Sequence, residues 1–109
     1  MPRGANVCRV DENQNEIVKV LRELGASVLI LSSVGKGCPD LLIGLSDHKG
    51  LKHNILIEIK DGKKSPSQRK LTTDEQKFFD TWKGKAVVIS SIAEAVLLFN
   101  LMRKPRDTL

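Results

Sequence analysis

Three charged residues lie in two stretches of the sequence that otherwise consist of apolar, strand-forming residues. Asp40 opens the stretch DLLIGL, and Glu58 and Lys60 close the stretch NILIEIK. Because successive side chains of a β-strand point to opposite faces, Glu58 and Lys60 are predicted to share one face of their strand. Two neighbouring carboxylates can bind a hard cation such as Mg²⁺ or Mn²⁺ that keeps several of its water molecules. Such an ion can activate a bound water and neutralise charge on a phosphate.

The same spacing is also compatible with a purely structural ion pair. Asp40 and Lys60 could form a cross-strand pair at a sheet end, with Glu58 a solvated edge charge, and spacing alone favours neither interpretation. If the two strands form a hairpin whose loop is centred near position 49 or 50, Asp40 faces position 59 within one register step. Asp40 is then a neighbour of Glu58. Lys60, beside a metal, could orient the attacking water or stabilise charge on the phosphorus.

Periodicity and turn signals predict the elements that must position these residues. Apolar residues at helical spacing predict a helix over residues 11–25, and a short β-branched run predicts a strand over residues 27–31. Strands over residues 40–45 and 54–60 are predicted to form an antiparallel hairpin around the polar stretch 46–53. His48 and His53 fall in this stretch and are expected to be exposed loop residues.

The second half of the chain is predicted to begin with a polar, basic loop over residues 61–71. A capping box then opens a helix that runs to about residue 83, formed either by Thr72 with Glu75 or by Thr73 with Gln76. A fourth strand follows at residues 85–89. The sequence does not decide between the two capping boxes.

Ser91 is predicted to cap a last helix, which completes the order α-β-β-β-α-β-α. The fourth strand returns by a helical crossover, so it is expected to lie parallel to the third. The sequence therefore predicts an α/β fold with a mixed four-stranded sheet flanked by helices. The buried side of the last helix is predicted to consist of apolar residues at helical spacing: Ile92, Ala95, Val96, Phe99 and Leu101 or Met102.

Size and composition indicate an ordinary globular protein. A chain of 109 residues and 12.1 kDa has room for one core, so residues 1–109 are predicted to form a single domain whose first ten residues are loosely held. A hydrophobic content of 40% excludes the disordered class. The net charge of +5 favours polyanionic partners, nucleic acid first and an anionic membrane surface second.

Targeting and redox features point to the cytoplasm. No stretch approaches the roughly 20 apolar residues that a membrane span needs, and the first residues, MPRGANVCRV, lack the apolar region of a signal peptide. Cys8 and Cys38 have unrelated spacing, which disfavours a disulfide framework or a thiolate zinc site. Cys38 is expected to be a small packing residue rather than a nucleophile.

Three segments in the same order resemble the signature of VRR-NUC domains, which belong to the PD-(D/E)XK nuclease superfamily. The segments are GCPDLLIG at residues 37–44, EIK at residues 58–60 and LTTDEQ at residues 71–76. The resemblance covers residues 16–82 and is greatest to the small stand-alone members common in phages and prophages. It implies a restriction-endonuclease-like core of the PD-(D/E)XK type.

The resemblance also implies roles for individual residues. Asp40 and Glu58 would be metal ligands, the Ile59 carbonyl a possible backbone ligand and Lys60 the catalytic lysine. Gln76 matches the family glutamine, although N-terminal capping of its helix would explain it as well.

An acidic residue on the first helix often joins the metal site in this superfamily, directly or through a water molecule. Glu16 is the candidate at that position. Glu12, one helical turn earlier on the same face, and Gln14 are alternatives, and Glu16 could also be a solvated helix charge.

The function that the resemblance implies is Mg²⁺- or Mn²⁺-dependent endonuclease activity on DNA, with a 3′-oxygen leaving and a 5′-phosphate end produced. The small members are structure-selective enzymes of the Holliday junction resolvase kind that act as homodimers. A DNA-binding module without catalysis and an RNA-directed nuclease remain alternatives. The DNA backbone is expected to contact exposed cations, or else these form a merely solvated surface: Lys36, Lys63, Lys64, Arg69 and Lys70.

Overall fold

A computed structural model of the protein describes residues 12–104. Within this range a 3-10 helix, Pro66–Arg69, interrupts the basic loop that was predicted to be irregular. The first ten residues, predicted to be loosely held, lie outside the described range. The predicted element order is confirmed by the helices and strands α1 Glu12–Leu24, β1 Ser27–Ile30, β2 Leu41–Ser46, β3 Lys52–Ile59, α2 Thr73–Thr81, β4 Ala86–Ile89 and α3 Ile92–Arg103.

The four strands form one mixed sheet in the order β1-β2-β3-β4. β2 is antiparallel to both β1 and β3, whereas β4 is parallel to β3 because the chain returns through α2. The predicted mixed sheet with flanking helices is therefore confirmed. In the described part of the chain, no helix is both long and apolar enough to cross a membrane.

One face of the sheet carries the apolar core. Alternation along β2 and β3 directs every second side chain to this face, where α1 and α3 pack on it. Burial of each large aliphatic side chain contributes roughly 1.5–3 kcal/mol. The largest contributors from strands and helices are Leu41, Ile43, Ile55, Ile57, Ile17, Leu21 and Phe99.

The buried side of α3 is narrower than its sequence predicted. Ala95 and Phe99 are buried and Met102 packs against the core, whereas Leu101 is 60% exposed. Met102 follows Phe99 by three residues and so shares its face, which decides between the two predicted positions. Ile92, predicted to be buried, is instead exposed in the first turn, where it lines an open cleft with Glu12.

The β2–β3 hairpin turns more tightly than predicted. Asp47 Oδ1 accepts hydrogen bonds from the N–H groups of Lys49 at 2.8 Å and Leu51 at 3.0 Å. Gly50 supplies the positive φ of 83° that the turn needs. The connection is therefore residues 47–51. His53, predicted to be an exposed loop residue, is a half-buried residue of β3 with Nε2 2.8 Å from Asp47 Oδ2.

The N-terminus of α2 is fixed by a capping box. Thr72 Oγ1 accepts from the N–H of Glu75 at 3.2 Å, and Glu75 Oε1 accepts from the N–H of Thr72 at 2.8 Å. This selects Thr72 with Glu75 over the alternative box. The helix ends at Thr81 rather than near residue 83, because the backbone at Trp82 is extended.

Candidate active site

Asp40 lies directly before the first residue of β2 and follows Pro39. Pro39 is fully buried and, having no N–H group, needs no backbone partner where the strand begins. The carbonyl of Asp40 accepts from the N–H of Leu31 at 2.7 Å, so the pairing of β1 with β2 continues through this residue. The position of Asp40 is thus held on both sides by strand structure.

The carboxylate of Asp40 points across the hairpin towards β3. Its Oδ2 atom accepts from the N–H of Ile59 at 2.8 Å. Leu41 is paired with Ile57, so the next facing positions along the ladder are Asp40 and Glu58. Side chains at facing positions have Cβ atoms about 5 Å apart. The predicted proximity of the two carboxylates is confirmed.

Glu58 is a buried acid on the face of the sheet opposite the apolar core. The residue is 4% exposed, while its neighbours Ile57 and Ile59 belong to the core. Burial, the charge of Asp40, and a hydrogen bond and charge from Glu75 raise the pKa of Glu58 to about 8, against the opposing charge of Lys60. In the absence of a further cation, Glu58 therefore holds a proton at neutral pH.

Lys60 lies on the same side of β3 as Glu58, as alternation predicts. Its Nζ atom is 3.5 Å from Glu58 Oε2 and 2.7 Å from Glu75 Oε1. Burial alone would lower the pKa of Lys60, but the hydrogen bond to Glu75 and the charges of Glu75 and Glu58 raise it above its usual value. Lys60 is therefore a permanent cation at this site.

Glu75 is the member of this group that the sequence reasoning missed. A single oxygen, Oε1, accepts from both Lys60 Nζ and the N–H of Thr72. Burial raises the pKa of Glu75, but the hydrogen bonds from Lys60 and Thr72 lower it below the usual value. The capping motif had located Glu75 in the first turn of α2. Its contact with Lys60 depends on where the first turn of α2 lies relative to β3, which the motif does not encode.

The turn before Asp40 packs against the same end of α2. Gly35, Lys36 and Gly37 have φ values of 79°, 56° and 80°, and Lys36 is the one non-glycine residue with positive φ between residues 12 and 104. A Cβ atom at Gly37 would overlap the carbonyl of Asp74 and lie 2.9 Å from the N–H of Glu75. Only glycine allows this close approach.

Cys38 lies close enough to the two carboxylates to sense their charge. Burial first, then the charges of Asp40 and Glu58, raise the pKa of the Cys38 thiol. The group is therefore held as a neutral thiol, which is a poor nucleophile. This agrees with the prediction that Cys38 is a packing residue.

The candidate residues on α1 lie in different surroundings. Glu16 is exposed and lines a cleft of about 630 Å³ with Asp61. Gln14, one of the alternatives, is buried, and its Nε2 atom donates to Ser32 Oγ at 3.1 Å. Since Ser32 follows Leu31, the partner of Asp40, Gln14 is the α1 candidate that lies beside the Asp40 strand.

Gln76 points away from the group that contains Lys60. Its side chain is exposed, and its Nε2 atom donates to Asp80 Oδ1 at 2.9 Å, one turn further along α2. The partner of Thr72 in the capping box is Glu75. The alternative explanation of Gln76 as a capping residue therefore does not apply. The role assigned to Gln76 by resemblance stays a prediction.

The basic loop presents cations to solvent. Lys63, Lys64 and Lys70 are exposed and Arg69 is half-buried. Among the described residues, none of these four side chains forms an ion pair, and the Nε atom of Arg69 is buried without a hydrogen-bond partner. Asp61 shapes the loop by accepting from the N–H of Lys63 at 2.9 Å.

The donors at Asp40 and Glu58 are hard oxygen atoms, which suit Mg²⁺ or Mn²⁺. From residue 12 to residue 104, no three or more His, Cys, Asp or Glu side chains form a group that could hold a metal ion. A site on these two carboxylates would therefore need backbone oxygen, such as the Ile59 carbonyl, and water, as Mg²⁺ commonly does. Burial is the largest cause of the raised pKa of Glu58, and a divalent cation would offset the next cause, the negative charge of Asp40. The residues fit such an ion.

Comparison of the chain with family models, with curated proteins and with solved structures gave no match.

Proposed function

We propose that this protein is a Mg²⁺- or Mn²⁺-dependent endodeoxyribonuclease with a PD-(D/E)XK core of the VRR-NUC type. The observation that carries the proposal is the pairing of Asp40 with the buried Glu58 across the hairpin, with the Lys60 ammonium 3.5 Å from Glu58. A structural ion pair would leave the two carboxylates neutralised. Here Glu58 has a pKa of about 8 despite the nearby lysine, because burial and a second acid outweigh it. The resemblance of the three sequence segments supports the same assignment.

The chain's own residues define how the reaction would be arranged. Asp40, Glu58 and the Ile59 carbonyl would hold the cation, which when bound lowers the pKa of a coordinated water and neutralises phosphate charge. Lys60 is held in its charged form by Glu75, so it cannot accept a proton from water. Its role is to orient the attacking water or to stabilise the negative charge that develops at phosphorus. The 3′-oxygen then leaves, and a 5′-phosphate end remains.

DNA is the proposed substrate because the surface near the site is basic. The four cations of the loop before α2 and the exposed Lys36 could contact phosphates without reading base sequence. Selectivity for branched DNA, action as a homodimer and a cytoplasmic location are part of the proposal. They rest on the resemblance, and a chain of this size has little surface with which to hold a branched substrate alone.

The proposal is tested by incubating the protein with duplex, single-stranded, flap and four-way DNA, with Mg²⁺, with Mn²⁺ and with EDTA. Metal-dependent cleavage of any of these substrates is expected, with 5′-phosphate ends. The matched variants are Glu58→Gln, which removes the buried acid, and Glu23→Gln, which makes the same change on the exposed side of α1. DNA binding without cleavage in every metal would overturn the proposal in favour of a non-catalytic DNA-binding module.

A further inference from the structure

Three of the four aromatic residues of this chain lie at the C-terminal end of α2. Trp82 stacks on Phe78, with ring centroids 5.1 Å apart and planes inclined by 16°. Phe78 in turn contacts Phe79 edge to face at 6.3 Å. One face of the indole is covered by Phe78, yet Trp82 is 49% exposed. We call Trp82 and Phe78 the aromatic platform.

The orientation of the indole is fixed by the backbone around it. The N–H of Trp82 donates to the carbonyl of Phe78 at 2.9 Å, and this hydrogen bond is made where the helix ends. The indole ring lies over Phe78. A Cβ atom at Gly84 would lie 2.9 Å from Trp82 Nε1, so the chain passes close to the edge of the indole. The platform therefore presents a flat apolar surface to solvent.

The sequence around this surface is rich in lysine. Lys77, Lys83 and Lys85 lie within five residues of Trp82 and are all exposed, and none forms an ion pair among the described residues. The nearest acid in sequence, Asp80, accepts from Gln76. A flat aromatic ring among exposed lysines is the combination by which proteins bind unpaired nucleotides, with bases stacked and phosphates neutralised.

We propose that Trp82 stacks on an unpaired base of DNA that reaches the active site along α2. Glu75, in the first turn of α2, contacts Lys60 at 2.7 Å. Trp82 follows Glu75 by seven residues, which places it about 10 Å further along the helix axis. The substrate would therefore carry a single-stranded region close to the bond that is cut. This inference rests on the proposed function for its DNA substrate, but its test needs no cleavage.

Trp82 is the single tryptophan of the chain, which has no tyrosine, so its fluorescence reports on the platform directly. The wild-type protein in EDTA is titrated with an oligothymidylate of about 12 nucleotides, within the usual site size. The same titration uses a strand of equal length in which every base is replaced by an abasic unit, and a blunt hairpin duplex. Strong quenching is expected with the base-bearing strand alone. Equal quenching by the abasic strand would overturn stacking, because only phosphates would then be near the indole.

Variants separate stacking from charge. Trp82→Ala should lower the affinity for oligothymidylate by about 5- to 150-fold, the roughly 1–3 kcal/mol that one stacked base contributes, without changing the salt dependence. Trp82→Phe should have a smaller effect, since a ring remains. Lys83→Ala with Lys85→Ala should instead lower the slope of log affinity against log salt by about 0.7 for each phosphate that is no longer neutralised.

Unchanged affinity for oligothymidylate in Trp82→Ala, with circular dichroism showing a folded protein, would also overturn stacking. A fluorescence change that depends on protein concentration and not on DNA would do so too, since it would identify the platform as a contact between copies. A protein that shows base-dependent quenching but no cleavage would leave stacking standing while refuting the nuclease. Cleavage without quenching would refute stacking and leave the nuclease standing.

Discussion

Two pairs of acid and base lie at opposite ends of the β2–β3 hairpin, and the pKa values of the two acids are shifted in opposite directions. At the turn, Asp47 lies 2.8 Å from His53, and this hydrogen bond lowers the pKa of Asp47 to about 2 with the help of two backbone N–H groups and against the opposing effect of burial. At the other end, Glu58 lies 3.5 Å from Lys60. Its pKa nevertheless rises to about 8, because burial and the charge of Asp40 outweigh the lysine.

We interpret the Asp47 pair as structural and the Glu58 pair as part of the proposed site. Every hydrogen-bond partner of Asp47 favours its charged form and stabilises the turn. The carboxylate therefore needs no further ligand to be stable. Glu58, in contrast, lies in surroundings that disfavour its charged form, because the fold buries it beside Asp40. Acids with strongly perturbed pKa values and a defined charged partner are concentrated at functional sites. The contrast between the two ends of the hairpin therefore supports the proposed site at Glu58 and a structural role for Asp47.

The largest expected effect is loss of cleavage when a carboxylate of the site is neutralised. Asp40→Asn and Glu58→Gln should each lower metal-dependent cleavage by about 10⁴-fold or more, because each removes an anionic ligand without changing volume. Asp47→Asn makes the same change at the other end of the hairpin and should leave cleavage unchanged while the protein is folded. Gel assays of the three purified variants measure this. Cleavage retained by Asp40→Asn would refute the assignment.

Lys60→Ala should lower turnover by about 100- to 1000-fold, since its charge is used mainly as negative charge develops on the phosphate. Metal affinity, measured by calorimetry, and DNA affinity should change far less. Lys19→Ala, an exposed lysine of α1, serves as the matched control. If metal binding were lost while single-turnover cleavage persisted at saturating metal, Lys60 would belong with His53 as a structural partner.

The cations of the basic loop should behave differently from Lys60. Replacing Lys63, Lys64, Arg69 and Lys70 together by Ala should lower the slope of log affinity against log salt by roughly 3 to 4, at about 0.9 per phosphate contact on duplex DNA. Sequence preference should stay the same, and the fold should tolerate the change because the loop is mostly exposed.

The salt series is best measured in an Asp40→Asn background with Ca²⁺, so that cleavage does not interfere. An unchanged slope would show that the four residues are only a solvated surface. The DNA path would then be sought at Lys36, Lys49 and Lys52.

Glu75→Gln should lower turnover by about 10-fold, the lower end of what groups that support a metal site contribute. Glutamine still completes the capping box, so α2 should be preserved. The change removes a charge that raises the pKa of Glu58, so the rise of activity with pH should shift to lower pH. Thr72→Ala is the counterpart, because it breaks the cap and keeps the charge. An identical pH profile in Glu75→Gln would contradict the coupling.

The last expected effect is the pH dependence of stability in EDTA. Native Glu58 binds its proton more tightly than the unfolded chain, with a pKa of about 8 against 4.5, so its contribution is complete below about pH 4.5 and is lost as pH rises through 8. Asp47 acts in the opposite sense. Its contribution is present above its ordinary pKa of 3.8 and is lost as pH falls through about 2.

Urea unfolding across this pH range separates the two contributions. Glu58→Gln should flatten the profile between pH 4.5 and 8 and leave the acid limb unchanged. Asp47→Asn should do the reverse. A profile unchanged by Glu58→Gln in the neutral range would mean that Glu58 is already charged in the metal-free protein.

The sequence predicted those parts of the site that depend on strand geometry. Alternation along β3 placed Glu58 and Lys60 on one side, and the symmetry of the hairpin placed Asp40 opposite them within one step. Both follow from the period of a strand and the length of a turn, which are local properties. The order of elements and the parallel β4 follow equally from periodicity and the crossover rule.

The contacts that the sequence did not predict connect separate elements. Lys60 and Glu75 are 15 residues apart, and their contact depends on where the first turn of α2 lies relative to β3. The prediction for His53 was wrong because the Asp47 carboxylate tightens the turn and lengthens β3. Leu101 and Met102 are adjacent apolar residues, and only the packing of α3 decides which is covered.

The close approach of Gly37 to the first turn of α2 has a mechanical consequence. The turn leads directly into Pro39 and Asp40, while the helix carries Glu75, the partner of Lys60. The backbone at Asp74 occupies the space that a Cβ atom of residue 37 would need, so the two segments are in direct contact. A methyl group at position 37 would push the two segments apart. The strands would keep their register, but the distance between Asp40 and the Glu75–Lys60 pair would increase. Random mutagenesis would then find this position as intolerant as Asp40, although it contributes no reacting atom.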